Sequence, residues 1–104
     1  MSLSTTVGII PTLNFYNEYG TPEAVASDVE DTWNNGIAYS MTALPESDTI
    51  VDLTNENTST CVETWHSAQE YLMEFYPATV EWYDAILVRD NRSFSNPSGK
   101  APTG

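Results

Sequence analysis

Two helix signatures punctuate this chain and set the rhythm of everything around them. Thr21-Pro22-Glu23 offers a hydroxyl N-cap, a proline for the first helical position and an acid for the positive end of the helix dipole. Val25, Val29 and Trp33 then recur at helical spacing, and Asn34-Asn35-Gly36 supplies a stop. Further on, Thr60 with Glu63 makes a capping box, and so does Ser67 with Glu70, which leaves the second start open between them. Cys61, Trp65, Ala68, Leu72 and Phe75 step along one face, and Pro77 ends the helix near Tyr76. If Ser67 is the cap, residues 60–65 extend a strand instead.

Between these helices lie β-branched stretches. Val7, Ile9, Ile10, Leu13 and Phe15 read as a strand over residues 6–16, with Pro11 marking an edge or a bulge. Ile37, Tyr39 and Met41 alternate with small or polar residues, Leu44-Pro45-Glu46-Ser47 reads as a turn, and residues 48–54 read as the returning strand of a hairpin. Residues 79–90 read as a last strand buried on both sides, a helix over residues 77–88 being the competing assignment. Strand, helix, strand, strand, helix, strand is the ferredoxin-like βαββαβ pattern. It predicts an α+β sandwich, a four-stranded antiparallel sheet with two helices on one face. The bare face then calls for a second copy, a homodimer built as a dimeric α+β barrel. The domain spans residues 5–90. Residues 91–104, rich in Ser, Pro and Gly, read as a flexible or extended C-terminal tail.

From Gly36 through the hairpin to Trp65-His66-Ser67-Ala68-Gln69-Glu70, with Gly20-Thr21-Pro22-Glu23-Ala24 before it, the chain resembles the antibiotic biosynthesis monooxygenase type of dimeric α+β barrel. That resemblance implies the ferredoxin-like fold. It also implies a small-molecule pocket, oxygenase-like chemistry on a flat organic substrate, and no cofactor.

Charge narrows the partners. Fifteen acids face three basic residues, for a net charge of −12, and all three bases (Arg89, Arg92, Lys100) lie at or beyond position 89. Nothing in the preceding chain can replace the counterions of a nucleic acid, and an anionic membrane surface would repel it. Direct nucleic-acid binding and membrane association are therefore not expected. No apolar run approaches a membrane span, and the first residues lack the basic and apolar regions of a signal peptide. Cys61 is the one cysteine, so a reduced, cytoplasmic setting is expected. One Cys and one His exclude a Cys/His zinc site within the chain. The acidity itself suits solubility in a saline habitat first, and mimicry of a nucleic acid toward a basic enzyme second.

Candidate site residues are few. His66 is the candidate proton carrier, weighed against a plain surface histidine because no second catalytic group stands beside it in sequence. Trp33, Tyr39, Trp65 and Trp82, with Asn14 and Tyr16 from the first strand, are candidates to line a pocket for an organic ligand; ordinary core packing is the bland alternative. Glu46, Asp48, Asp52 and Glu56 cluster without the spacing of a calcium loop and read as a solvated acidic edge, so no metal is expected. The alternative function is a non-enzymatic acidic interaction protein.

Overall fold

The computed structural model describes residues 4–35 and 40–93. Val7, Ile9 and Ile10 sit in a strand, β1 (Ser4–Pro11), that forms the middle of the sheet. Two helices follow, α1 (Leu13–Tyr19) and α2 (Glu23–Asn34), then a strand, β2 (Ser40–Pro45). Next come α3 (Cys61–Phe75), α4 (Pro77–Trp82) and a final strand, β3 (Ala85–Arg89). The strand order is β2-β1-β3, and both pairings are parallel, in the registers Val7↔Ala43 and Val7↔Ala85.

The chain leaves β1 toward one side for β2 and crosses to the other side for β3. Crossovers of one hand then put successive helices on opposite faces. The core divides accordingly. Val7 and Ile9 pack with Met41, Ala43 and Ala26 of α2, flanked by Val25 and Val29. Ile10 points the other way and packs with Val51 and with Ala68 and Leu72 of α3, flanked by Val80, Ile86 and Val88.

The ferredoxin-like expectation is corrected here. The sheet has three parallel strands, not four antiparallel ones, and helices pack on both of its faces. No bare antiparallel face remains to build a dimeric α+β barrel. The physical cause lies after β2. Residues 46–50 leave the sheet, and the chain returns for one bridge only, parallel to β1: Val51 N–H donates to Pro11 O at 3.0 Å, and Leu13 N–H donates to Val51 O at 2.8 Å. No returning strand forms over residues 48–54. Pro11 sits in the central strand because its missing donor faces the gap that residues 46–50 leave.

Other expectations shift by local chemistry. Thr12, read as mid-strand, N-caps α1: its hydroxyl accepts from Phe15 N–H at 3.2 Å. Leu13 and Phe15 therefore belong to a helix, which Gly20 closes with φ +77. The N-cap of α2 is Pro22 rather than Thr21, and Trp33 of the proposed stripe is 46% exposed. Gly36, Ile37 and Tyr39 lie outside the described residues. The second helix starts at the earlier capping box, where Thr60 and Glu63 bond each other's backbone N–H groups, so Ser67 is mid-helix. The last strand is less than half as long as expected, because Pro77 opens a new helical turn before β3, and Ala85 and Leu87 are exposed. Of the expected tail, residues 94–104 lie outside the described residues.

The two sheet edges differ. Arg89 O accepts from Thr12 N–H, and Ile9 O accepts from Glu46 N–H, which fixes which main-chain groups face outward. On the outer edge of β2, Asn34 brackets Met41, donating to its C=O at 2.9 Å and accepting from its N–H at 2.7 Å. Glu30 accepts from Ala43 N–H at 3.0 Å. Pro45, the next outward position, has no donor. Side chains of α2 thus close that edge. Among the described residues, no hydrogen bond reaches the outer edge of β3.

Candidate functional site

In a parallel sheet of this order, the crevice for ligands lies outside the carboxyl ends of the strands, where the connections diverge, here between β1 and β3. Thr12 follows β1, and Asp90 follows β3. They bond each other across that crevice, Thr12 Oγ1 donating to Asp90 Oδ1 at 2.6 Å. Arg92 Nε donates to Asp90 Oδ2 at 2.6 Å, and its Nη1 donates to Thr58 O at 2.9 Å. Burial pushes the Asp90 carboxyl up, but the Thr12 hydroxyl, the Arg92 guanidinium and the Asn91 N–H outweigh it and hold the group below the usual carboxylate range. The remaining polar cavity, about 30 Å³, has room for one water-sized group. Asn14, Asp52 and Thr54 line it, and Asp52 is itself held by Thr54 N–H at 3.0 Å. Both oxygens of the buried carboxylate are committed to the fold, so the crevice is closed by its own side chains.

The second site is an apolar groove of about 350 Å³ along β3. Trp65, Leu72 and Met73 of α3 form one wall, Ile86 and Val88 of β3 the other, and Val80 of α4 lies between them. Met73 is 62% exposed at its mouth. One acid, Asp84, lies in its wall; Glu70, Glu74 and Glu81 are exposed on α3 and α4 but do not line it. Neither α3 nor α4 contains a Lys or Arg. At the groove's end the Tyr83 ring packs closely against Gly8, and its hydroxyl donates to Glu46. Burial first, then the Glu46 carboxylate, push the Tyr83 hydroxyl far above its ordinary value.

The sequence candidates are spread over the molecule. Asn14 lines the crevice and Trp65 lines the groove. Trp82 is exposed beside a shallow hollow with Glu46 and Thr79. Tyr16 and Trp33 are exposed on α1 and α2, and Tyr39 lies outside the described residues. His66 is exposed on α3, its ring edge-on to Trp65 at 4.9 Å between centroids. Among the described residues, no group of three or more His, Cys, Asp or Glu is placed to hold a metal ion. Thr12, Asp90, Arg92 and the open edge of β3 escape a reading of the sequence. The available signals are the N-cap pattern at Thr12 and the rarity of arginine, one of the two standing two residues from Asp90.

Among the described residues, the ion pair is Arg92 with Asp90; the other acids face a common negative field. Added salt shortens the screening length from about 30 Å at 0.01 M to about 8 Å at 0.15 M. The melting temperature is expected to rise over that range in a NaCl series. A flat profile would show that the acids are already compensated.

No helix among the described residues is long and apolar enough to cross a membrane. No family model, curated protein or solved structure matches the chain.

Proposed function

We propose that this protein is a non-enzymatic, acidic interaction module that takes a basic, amphipathic segment of a protein partner into the groove between α3, α4 and β3. The observation that carries this reading is the groove itself: an apolar trough with Asp84 in its wall, in a chain of net charge −12. Apolar side chains of the partner fill the trough, and lysines or arginines are drawn by Asp84 and by the negative field of the whole chain. The crevice where this kind of sheet takes ligands is plugged by Asp90, Thr12 and Arg92, which leaves room there for one water-sized group and none for a substrate. A homodimer through the same groove sets two copies, each at −12, against one another. A cytoplasmic setting fits the lone, free Cys61. A flat organic ligand is the second reading, favoured by the groove's volume and by Trp65 in its wall.

The test is titration of the full chain, followed by NMR, with a heptapeptide of alternating Lys and Val and with its Glu-for-Lys counterpart. The Lys peptide is expected to bind with Kd on the order of micromolar, to shift signals of Trp65, Met73 and Ile86, and to weaken with salt. Met73→Glu puts a charge at the exposed mouth without touching the core, and it is expected to weaken binding at least tenfold. Equal binding of the Glu peptide, or no binding of either, overturns the reading.

A further inference from the structure

This inference rests on the reading above and specifies how the partner is held. A groove can seat either a helix or a strand, and the main chain beside it decides which. In β3, Arg89 turns its carbonyl toward β1, so alternation turns the N–H and C=O groups of Ile86 and Val88 outward. No described residue bonds to them, whereas the equivalent positions of β2 are occupied by Asn34 and Glu30. Among the described residues, one edge of the sheet is thus closed with dedicated side chains and the other is left open.

The open edge and the groove are contiguous. The side chains of Ile86 and Val88 form the groove wall, so a strand laid beside β3, about 4.8 Å away, would set every second side chain over Trp65 and Met73. Its other face would meet Leu87, which is 42% exposed. We infer that the partner segment binds as a fourth strand on the outer edge of β3, extended, with its apolar side chains toward the groove and its basic side chains on the opposite face, drawn by the net charge of −12. Main-chain hydrogen bonds to Ile86 and Val88 hold it, and the groove reads its alternate side chains. A helix satisfies its own main chain and would leave those four groups to water. The segment matches the length of β3, five residues with one or two more at each end.

The experiment compares the alternating Lys/Val heptapeptide with two N-methylated forms, one methylated at the Lys residues and one at the Val residues. Each form blocks one edge of an extended strand and leaves the side chains intact. Binding of the parent is expected to slow hydrogen exchange of the Ile86 and Val88 amides at least tenfold. One of the two methylated forms is expected to lose at least tenfold in affinity. If both methylated forms bind as well as the parent and the two amides stay unprotected, strand addition is overturned while groove docking stands. If no form binds, both readings fail. If the Ile86 and Val88 amides are already protected without peptide and the chain sediments as a dimer, a second copy occupies the edge and the inference is overturned.

Discussion

Gly8→Ala is expected to destabilise this protein by about 1–3 kcal/mol, although alanine is ordinarily the better residue in a strand. A Cβ at position 8 would lie 2.5 Å from Cδ2, 2.6 Å from Cε2 and 2.8 Å from Cγ of Tyr83. Those are ring atoms close to the main chain, so no rotation of a flexible end relieves the clash. The ring must move as a unit, and its hydroxyl then leaves Glu46, which anchors the segment after β2. Intrinsic preference returns at most about 1 kcal/mol against this. Chemical denaturation of the double-mutant cycle isolates the cause. In a Tyr83→Ala background, where the ring is gone, Gly8→Ala should be neutral or stabilising. A coupling energy near zero would show that the ring and the strand are not in the contact described.

That glycine illustrates which parts of the fold a sequence displays. Signals that act within one turn of helix are legible: the Thr60–Glu63 box starts α3, and Pro77 stands two residues after its last residue, Phe75. Pairing between distant segments is not. Val7, Ile9, Met41, Ala43, Ile86 and Val88 alternate as strand residues should, but alternation is the same for parallel and antiparallel partners. What separates them is whether residues 46–54 turn back or wander off; after Glu46, whose N–H bonds Ile9 O, they meet the end of β1 again through Val51 in a single parallel bridge. Leu13 and Phe15 continue the alternation of β1, yet the Thr12 hydroxyl bonded to Phe15 N–H makes the helix. Local pattern loses there to a cap. The crevice residues are obscure for a related reason. Thr12 and Asp90 are separated by 78 positions and meet only because both follow strands that are neighbours in the sheet. The groove was half visible: Trp65 is among the sequence candidates, while its opposite wall depends on β3 lying at the edge.

Asp90→Asn is expected to cost about 1.5–3 kcal/mol at neutral pH, the range for hydrogen bonds to a charged group. For a domain of this size that lowers the melting temperature on the order of 10 °C. The replacement keeps the shape but places an amide donor or a weaker acceptor where Arg92 Nε and the Thr12 hydroxyl both donate at 2.6 Å. Arg92→Gln should cost less, because its side chain is 42% exposed against 5% for Asp90, and water takes over its bonds. The pH dependence follows from the direction of the shift. The folded carboxyl is held below its ordinary value, so the unfolded chain takes up the proton first as pH falls. The stabilisation by Asp90 is thus fully present above the unfolded value of about 3.9, and it is lost as pH falls through the lower folded value. Protonation of the remaining acids works in the opposite sense, relieving their mutual repulsion, but wild type and variant share it. The difference in melting temperature between them is therefore the quantity to follow. It should be constant from pH 7 to about 5 and shrink steadily below about 4. A difference that stays constant down to pH 2.5, or one absent at pH 7, would mean that the Asp90 charge does not hold the carboxyl ends of β1 and β3 together.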